Sequence, residues 1–384
     1  MRVCHVITRL IIGGAQEAAV NACAYVDRDA FPSVLVTGPQ TGAEGDLRPL
    51  ARELDVPIIE LPSLVREISP RHDPRALRDL RHVLREHRPE IVHTHSSKAG
   101  LLGRRAAHRE HVPVVVHTVH GWSFHDHMPG WQRTVYRQLE RRAAPWTDRL
   151  VTISRLDREK GLGARIGTPA QYEVIHELND LSRYGGRSQA SARDRLGLPT
   201  DAFVVGTVGR LSEQKDPETW VRAAATVAAA APAARFVMVG DGPLRPEVGR
   251  LARELGIADR LLLTGLRDDV PELLAAFDVF LLTSRWEGLP LVIPQAMASS
   301  VPVVASTADG NREAVRHGEN GLLATSSPDA FAAQVLSLRD RELSRRLTAT
   351  AIETARDFSL ERTIPQLEAV YRDCAAEKVD AITP

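Results

Sequence analysis

Leu281-Leu-Thr-Ser-Arg-Trp-Glu-Gly-Leu-Pro-Leu-Val-Ile-Pro-Gln-Ala-Met-Ala298 is followed by a second apolar run, Val301-Pro-Val-Val-Ala305. Together they read as strand, loop, helix, strand. Val279-Phe-Leu-Leu282 shows no polar alternation, which suits a strand covered on both faces, as in a parallel sheet. The residues after it therefore belong at the carboxyl edge of that sheet. Glu287 and Gly288 open the loop, and either Pro290 or Pro294 suits the first turn of the helix. Open α/β sheets bind ligands at that edge and at the helix N-termini beside it, so a phosphate-bearing ligand is expected.

Working outward, the second half of the chain alternates short β-rich runs with helical ones: Phe203–Val208, Phe236–Val239, Leu261–Leu263, Val279–Leu282, Val301–Val304 and Gly321–Leu323. The first half does the same with Arg2–Ile7, Ser33–Thr37, Ile58–Leu61, Ile91–Thr94, Val114–Thr118 and Arg149–Ser154. Such alternation predicts doubly wound sheets. Gly13-Gly14 stands between the first strand and a helical stretch, where glycines permit close backbone approach to a ligand. The histidine-rich segments His93-Thr-His-Ser-Ser-Lys98 and His117-Thr-Val-His-Gly-Trp-Ser-Phe-His-Asp-His127 should open at a carboxyl edge. The linker is placed between Asn179 and Arg187. Leu360–Ala376 carries Ile364, Leu367, Val370 and Tyr371 at helical spacing, and could close the second domain or cross back to the first.

At 384 residues the chain exceeds one ordinary core, so two domains are expected. Charged residues at 26% and hydrophobic ones at 43% exclude a disordered or collagen-like chain. Cys4, Cys23 and Cys374 are too few and too scattered for a disulfide framework or a cysteine zinc site, and fit a reducing cytoplasm. The apolar run at Met1–Thr8 is too short for a signal peptide, and nowhere do 18 apolar residues run together, so neither export nor membrane spanning is expected. Of the 49 basic and 49 acidic residues, 26 and 22 lie in Met1–Gly185, leaving 23 and 27: a balance of +4, then −4. Arg75, Arg78, Arg81 and Arg85 lie mostly opposite the apolar face marked by Leu77, Leu80 and Leu84. They form either a solvated helix face or a surface attracted to anionic lipid or a phosphorylated acceptor.

These residues resemble the retaining GT-B glycosyltransferases of family four. The likeness rests on Gly13-Gly14, Thr118-Val-His-Gly121, Gly209-Arg-Leu-Ser-Glu-Gln-Lys-Asp216, Gly240-Asp-Gly242, Glu287-Gly-Leu-Pro290 and His317-Gly-Glu-Asn-Gly-Leu322, and covers nearly the whole chain. Ile91–Phe124 also resembles capsular and exopolysaccharide-type members. The resemblance implies two Rossmann-like domains facing each other across a cleft: an acceptor-binding domain over 1–182, a donor-binding domain over 183–362, and a C-terminal helix in 363–384 that crosses back. It implies a nucleoside-diphosphate sugar as co-substrate, no other cofactor and no metal.

Transfer from such a donor builds positive charge at the anomeric carbon and negative charge on the departing diphosphate. Arg210 and Lys215 match the family's phosphate-binding pair, and preorganised cations there stabilise the leaving group. Glu287 matches the first acid of a paired-acid motif and is expected at the donor sugar, with Gly288, Leu289 and Pro290 beside the diphosphate. The family's second acid falls at Gln295. An amide oxygen still accepts a hydrogen bond from a ribose hydroxyl, without the charge that roughly doubles its strength. If residues 287 to 295 are all helical, they span about 12 Å, enough to reach from sugar to ribose.

His120 matches a histidine brought to the donor sugar, with a positioning role; the alternative is a satisfied core histidine. Arg267 falls where the family contacts the nucleobase. His93, His95, Lys98, Trp122 and Phe124 are acceptor candidates, with packing roles as the alternative. Zinc on His117, His120, His125 and His127 is disfavoured by their irregular spacing. Asp268-Asp269 is read as a helix cap before Pro271 rather than a metal site.

The partners implied are a nucleotide-sugar donor and a glycan acceptor, lipid-linked or soluble, or a small aminocyclitol-type molecule. Nucleic acid is not among them. Peripheral contact with an anionic inner membrane face is one expectation for the basic first domain. The rival readings are a GT-B nucleotide-sugar epimerase, which needs no acceptor, and a non-catalytic sugar-nucleotide binder.

Overall fold

A computed structural model describes residues 1–42, 44–125 and 128–380. His127 therefore lies outside the described residues. The chain divides into two units, Met1–Asn179 together with the chain from Leu360 onward, and Asp180–Ser359. The divisions fall three residues before 182/183 and 362/363.

The first unit is built on β1 (Val3–Val6), β2 (Ser33–Thr37), β3 (Ile58–Glu60), β4 (Ile91–His95), β5 (Val114–Val119), β6 (Arg149–Thr152) and β7 (Tyr172–Val174). They form a seven-stranded sheet in the order β3-β2-β1-β4-β5-β6-β7. Every pairing is parallel. Helices from both halves of the sequence cover the sheet. The helix Leu360–Asp380 buries Ile364, Leu367, Val370 and Tyr371 in one cluster with Val3, Ala18, Phe31 and Val116. The C-terminal segment is thus part of the first unit. Its apolar stripe, read from the helical spacing, is the face that makes this contact. On the opposite side the helix Asp73–His87 buries Ala76, Leu77, Leu80, Val83 and Leu84. Arg75 and Arg78 are exposed, and Arg81 pairs with Glu110 at 2.5 Å.

The second unit carries β8 (Val204–Val208), β9 (Arg235–Val239), β10 (Leu261–Gly265), β11 (Val279–Leu282), β12 (Val303–Ser306) and β13 (Leu322–Ala324). Their order is β10-β9-β8-β11-β12-β13, again all parallel. β11 lies between β8 and β12, and all four of its residues are buried, as expected of a strand covered on both faces. In each sheet the strand order reverses at one place, between β1 and β4 and between β8 and β11. Ligands of open α/β sheets bind outside the strand carboxyl ends at that reversal. Among the described residues, no helix is long and apolar enough to cross a membrane.

Candidate active site

In the second unit, pairing of β11 with β8 puts Val279 beside Val205 and Phe280 beside Gly206, so the loops leaving both strands emerge side by side. Further contacts join these loops. Thr283 donates from its hydroxyl to the carbonyls of Lys215 and Asp216, each at 3.0 Å. The Arg285 amide donates to Gln214 O at 2.8 Å. Asp216, in the left-handed region at φ 49°, caps the helix Pro217–Ala230 through Thr219 N and receives Arg285 Nε at 3.2 Å. The result is that Lys215 Nζ sits 2.5 Å from Glu287 Oε1. Ser284 Oγ donates to the same oxygen at 2.6 Å, and Gln214 Nε2 reaches Oε2 at 3.3 Å. The carboxylate is buried and Lys215 about one-fifth exposed, so this is a largely desolvated ion pair whose acid has its hydrogen bonds satisfied.

Gly209, Arg210 and Lys215 line a small open pocket beside Trp220. Two glycines make its surroundings possible. A Cβ on Gly240, at φ +132°, would stand 2.1 Å from Gly209 O, and one on Gly310 would stand 1.8 Å from Gly288 O. The latter packing lays the Glu287 loop directly on the helix Asp309–Ala314.

The loop itself corrects one expectation. The helix covers only Val292–Ala298, so Glu287 and Gln295 are not joined by continuous helix. Pro290 lacks an amide proton and disfavours helical backbone before it, whereas Pro294 falls in the first turn, where no amide partner is needed. Leu289 and Pro290 are buried, Gly288 is half-buried, and Gln295 lies in the interior at 4% exposure. The reading of Asp268-Asp269 is also corrected: Asp269 makes no side-chain cap to the helix Val270–Leu274. Its carboxylate instead receives a forked pair of bonds from Arg267, Nε at 2.7 Å and Nη2 at 2.6 Å, which holds Arg267 in place. That pairing holds the Asp269 carboxyl below its ordinary range.

In the first unit, side chains two apart on a strand share a face. His93 and His95 therefore point the same way from β4, and the β1–β4 register sets His5 beside His93. His5 Nδ1 lies 3.1 Å from His95 Nε2, and His95 Nδ1 lies 3.0 Å from His120 Nε2. His120 Nδ1 in turn lies 2.8 and 3.0 Å from the two oxygens of Glu177. His93 bonds Tyr371 Oη at 2.6 Å and Thr118 Oγ1 at 2.7 Å. Burial pushes His5 down to about 3, and His93, His95 and His117 well below the usual imidazole value. These rings are neutral at physiological pH.

His93 and His95, at 1% exposure each, are interior groups, and both line a pocket with Thr118, His120 and Glu177. Their strand is central, covered by helices on both faces. His120 is held between His95 and Glu177. Lys98 is paired with Asp73 at 2.5 Å and with the Glu67 carbonyl. Trp122 donates to Asp157 O at 2.7 Å and stacks on Phe124, which packs with Leu150, Ile166 and Tyr172. The Gly13 backbone precedes the helix Gly14–Tyr25 and accepts from Glu17 N at 3.0 Å.

Of the histidines weighed for zinc, His117 bonds Thr94, and His120 is engaged as above. Among the described residues, His5, His93 and His95 bring ring nitrogens within 4.8 Å of one another. Of these nitrogens, only His5 Nε2 lacks a hydrogen-bond partner, so a metal would have to displace the bonds between them.

Sequence reasoning missed Glu177 and His5. Glu177 follows β7 at the carboxyl edge, and an acid at that edge is the signal that could have found it. His5 carries no signal until strand pairing places it. Ser284 and Gln214 were likewise passed over beside Glu287.

Residues 202–341 match the model of a family described as Glycosyl transferases group 1, and residues 13–177 that of a Glycosyl transferase 4-like domain. UDP-Gal:alpha-D-GlcNAc-diphosphoundecaprenol alpha-1,3-galactosyltransferase of Escherichia coli is 30% identical over 388 residues, covering 98% of this chain and 98% of that one. The D-inositol 3-phosphate glycosyltransferase of Acidothermus cellulolyticus is 33% identical over 314 residues, covering 77% of this chain and 69% of that one. The structure of Anabaena Alr3699/HepE in complex with UDP and glucose superposes with a TM-score of 0.83 at 22% identity, over 97% of this chain and 99% of that one. WaaG, a glycosyltransferase involved in lipopolysaccharide biosynthesis, gives 0.77 at 15% over 96% and 99%.

Proposed function

Because the chain belongs to the group 1, family-four glycosyltransferases of GT-B fold, which use nucleotide sugars, we propose that it moves a sugar onto a lipid-diphosphate-linked glycan, retaining the anomeric configuration and using no metal. The observation that carries this reading is the meeting of Lys215 and Glu287 at the reversal between β8 and β11, beside the Arg210 pocket. An ammonium has three donors. With one on Glu287, Lys215 is oriented to direct others at a leaving diphosphate, and Arg210 adds a second cation that compensates charge as the glycosidic bond breaks. The second unit thus binds the donor and the first unit the acceptor. Gln295 acts at the ribose and Arg267 at the base.

The lipid-linked acceptor is favoured by the relative that matches end to end, whose name specifies a diphosphoundecaprenol substrate. Exposed Arg75 and Arg78 on the helix Asp73–His87 suit peripheral contact with an anionic membrane. A soluble phosphorylated cyclitol is the second reading, favoured by the inositol-phosphate relatives.

The test is a panel of nucleotide sugars, each with a lipid-diphosphate sugar or an inositol phosphate, with the anomeric configuration of the product read by NMR. Transfer to the lipid with retention supports the proposal. Inversion overturns the retaining assignment, and transfer only to inositol phosphate favours the second reading. Epimerised donor without acceptor points to an isomerase. Salt-sensitive co-sedimentation with anionic liposomes reports on membrane contact.

A further inference from the structure

Three imidazoles and one carboxylate make an unbroken line, His5–His95–His120–Glu177, through the interior of the first unit. Only one end of this line has a fixed polarity. An ionised carboxylate is an acceptor only, so His120 Nδ1 carries a proton and donates to Glu177. In a neutral His120 the Nε2 atom is then a bare acceptor. His95 Nδ1 must supply the proton there, leaving His95 Nε2 bare in its turn, and His5 Nδ1 must supply the next. The line ends at His5 Nε2, which this order makes a bare acceptor. That atom is buried and has no hydrogen-bond partner. The opposite order would place an N–H at the same point, and orphaned buried donors are the rarer and costlier case.

We propose that Glu177 is a positioning residue that sets one tautomeric order on the whole line, with the Nδ1–H form at His120, His95 and His5. The consequence for His120 is chemical. Its Nε2 lone pair is engaged by His95, so it cannot accept the proton of an acceptor hydroxyl unless the line breaks. His120 then acts as a rigid hydrogen-bonded post and not as a general base. This consequence rests on the glycosyltransferase reading; the tautomeric order does not.

The test is long-range ¹H–¹⁵N correlation on histidine-¹⁵N-labelled protein, which distinguishes the two neutral tautomers ring by ring. Nδ1–H signatures at all three rings are expected, with loss of the single order in Glu177→Gln, whose amide can donate as well as accept. An Nε2–H signature at His120 in the wild-type protein, or an unchanged order in the variant, overturns the proposal. The wild-type spectrum decides alone should the variant not fold. In turnover assays Glu177→Gln is expected to lower kcat about 10- to 100-fold with donor KM within about threefold, the scale seen when a supporting hydrogen-bond partner is removed. Glu177→Asp is expected to recover part of the loss. Unchanged kcat overturns the positioning role. Absence of transfer by the wild-type protein would count against the glycosyltransferase reading while leaving the spectrum to decide the order.

Discussion

Lys215 Nζ and Glu287 Oε1 stand 2.5 Å apart although 72 positions separate them along the chain. Neither lies in a strand. Each is fixed by the loop that leaves one, and the two strands are neighbours where the sheet order reverses. A cation held at that point by a buried acid suits the diphosphate proposed above.

Lys215→Ala is expected to lower transfer about 10²- to 10³-fold, the scale of losing one preorganised charge partner. It also strands the Glu287 carboxylate, which is expected to cost about 3 kcal/mol of stability, measurable by denaturant melts. The double variant Lys215→Ala, Glu287→Ala should regain much of that stability and none of the activity. Near wild-type transfer in Lys215→Ala would remove this residue from the mechanism.

Gln295→Glu is expected to leave donor affinity equal or tighter by less than tenfold, about 1 kcal/mol, by calorimetry. Because position 295 is interior, the added carboxylate should also lower Tm. A large loss of affinity would refute a ribose role.

Gly310→Ala is a steric test of the Glu287 loop. The new methyl would meet Gly288 O at 1.8 Å, and the backbone there must move. Donor affinity should fall more than about tenfold through misplacement alone. Unchanged affinity with unchanged Tm would show that this contact does not set the loop.

Folded-state stability should decline with acid before carboxylates titrate. His5, His93, His95 and His117 have depressed values because they are buried, so they stay neutral when folded, while in the unfolded chain they take protons below about pH 6.5. Their contribution is complete above that pH. It is lost as pH falls towards the folded values, about 3 for His5, at about 1.4 kcal/mol per pH unit for each group. Thermal melts from pH 7.5 to 5 should show a falling Tm; a flat profile contradicts the burial argument.

Transfer should be insensitive to EDTA if charge on the diphosphate is met by Arg210 and Lys215. Complete loss that added Mg²⁺ restores would reverse the proposal of metal independence.

By itself the sequence determined the layers and the motif-bearing edges. Apolar runs without alternation, spaced by helical stretches, require buried parallel strands, and local spacing carries that information. It also determined that Glu287 and Lys215 follow strands. What only the tertiary structure decided is which strand ends are neighbours, because parallel partners are joined by long crossovers and strand order is not a local property. That pairing turned His5, His95, His120 and Glu177 into one line and drew His93 and His95 into the interior. The start of the helix after Glu287, at Val292, is by contrast local, set by Pro290 and Pro294.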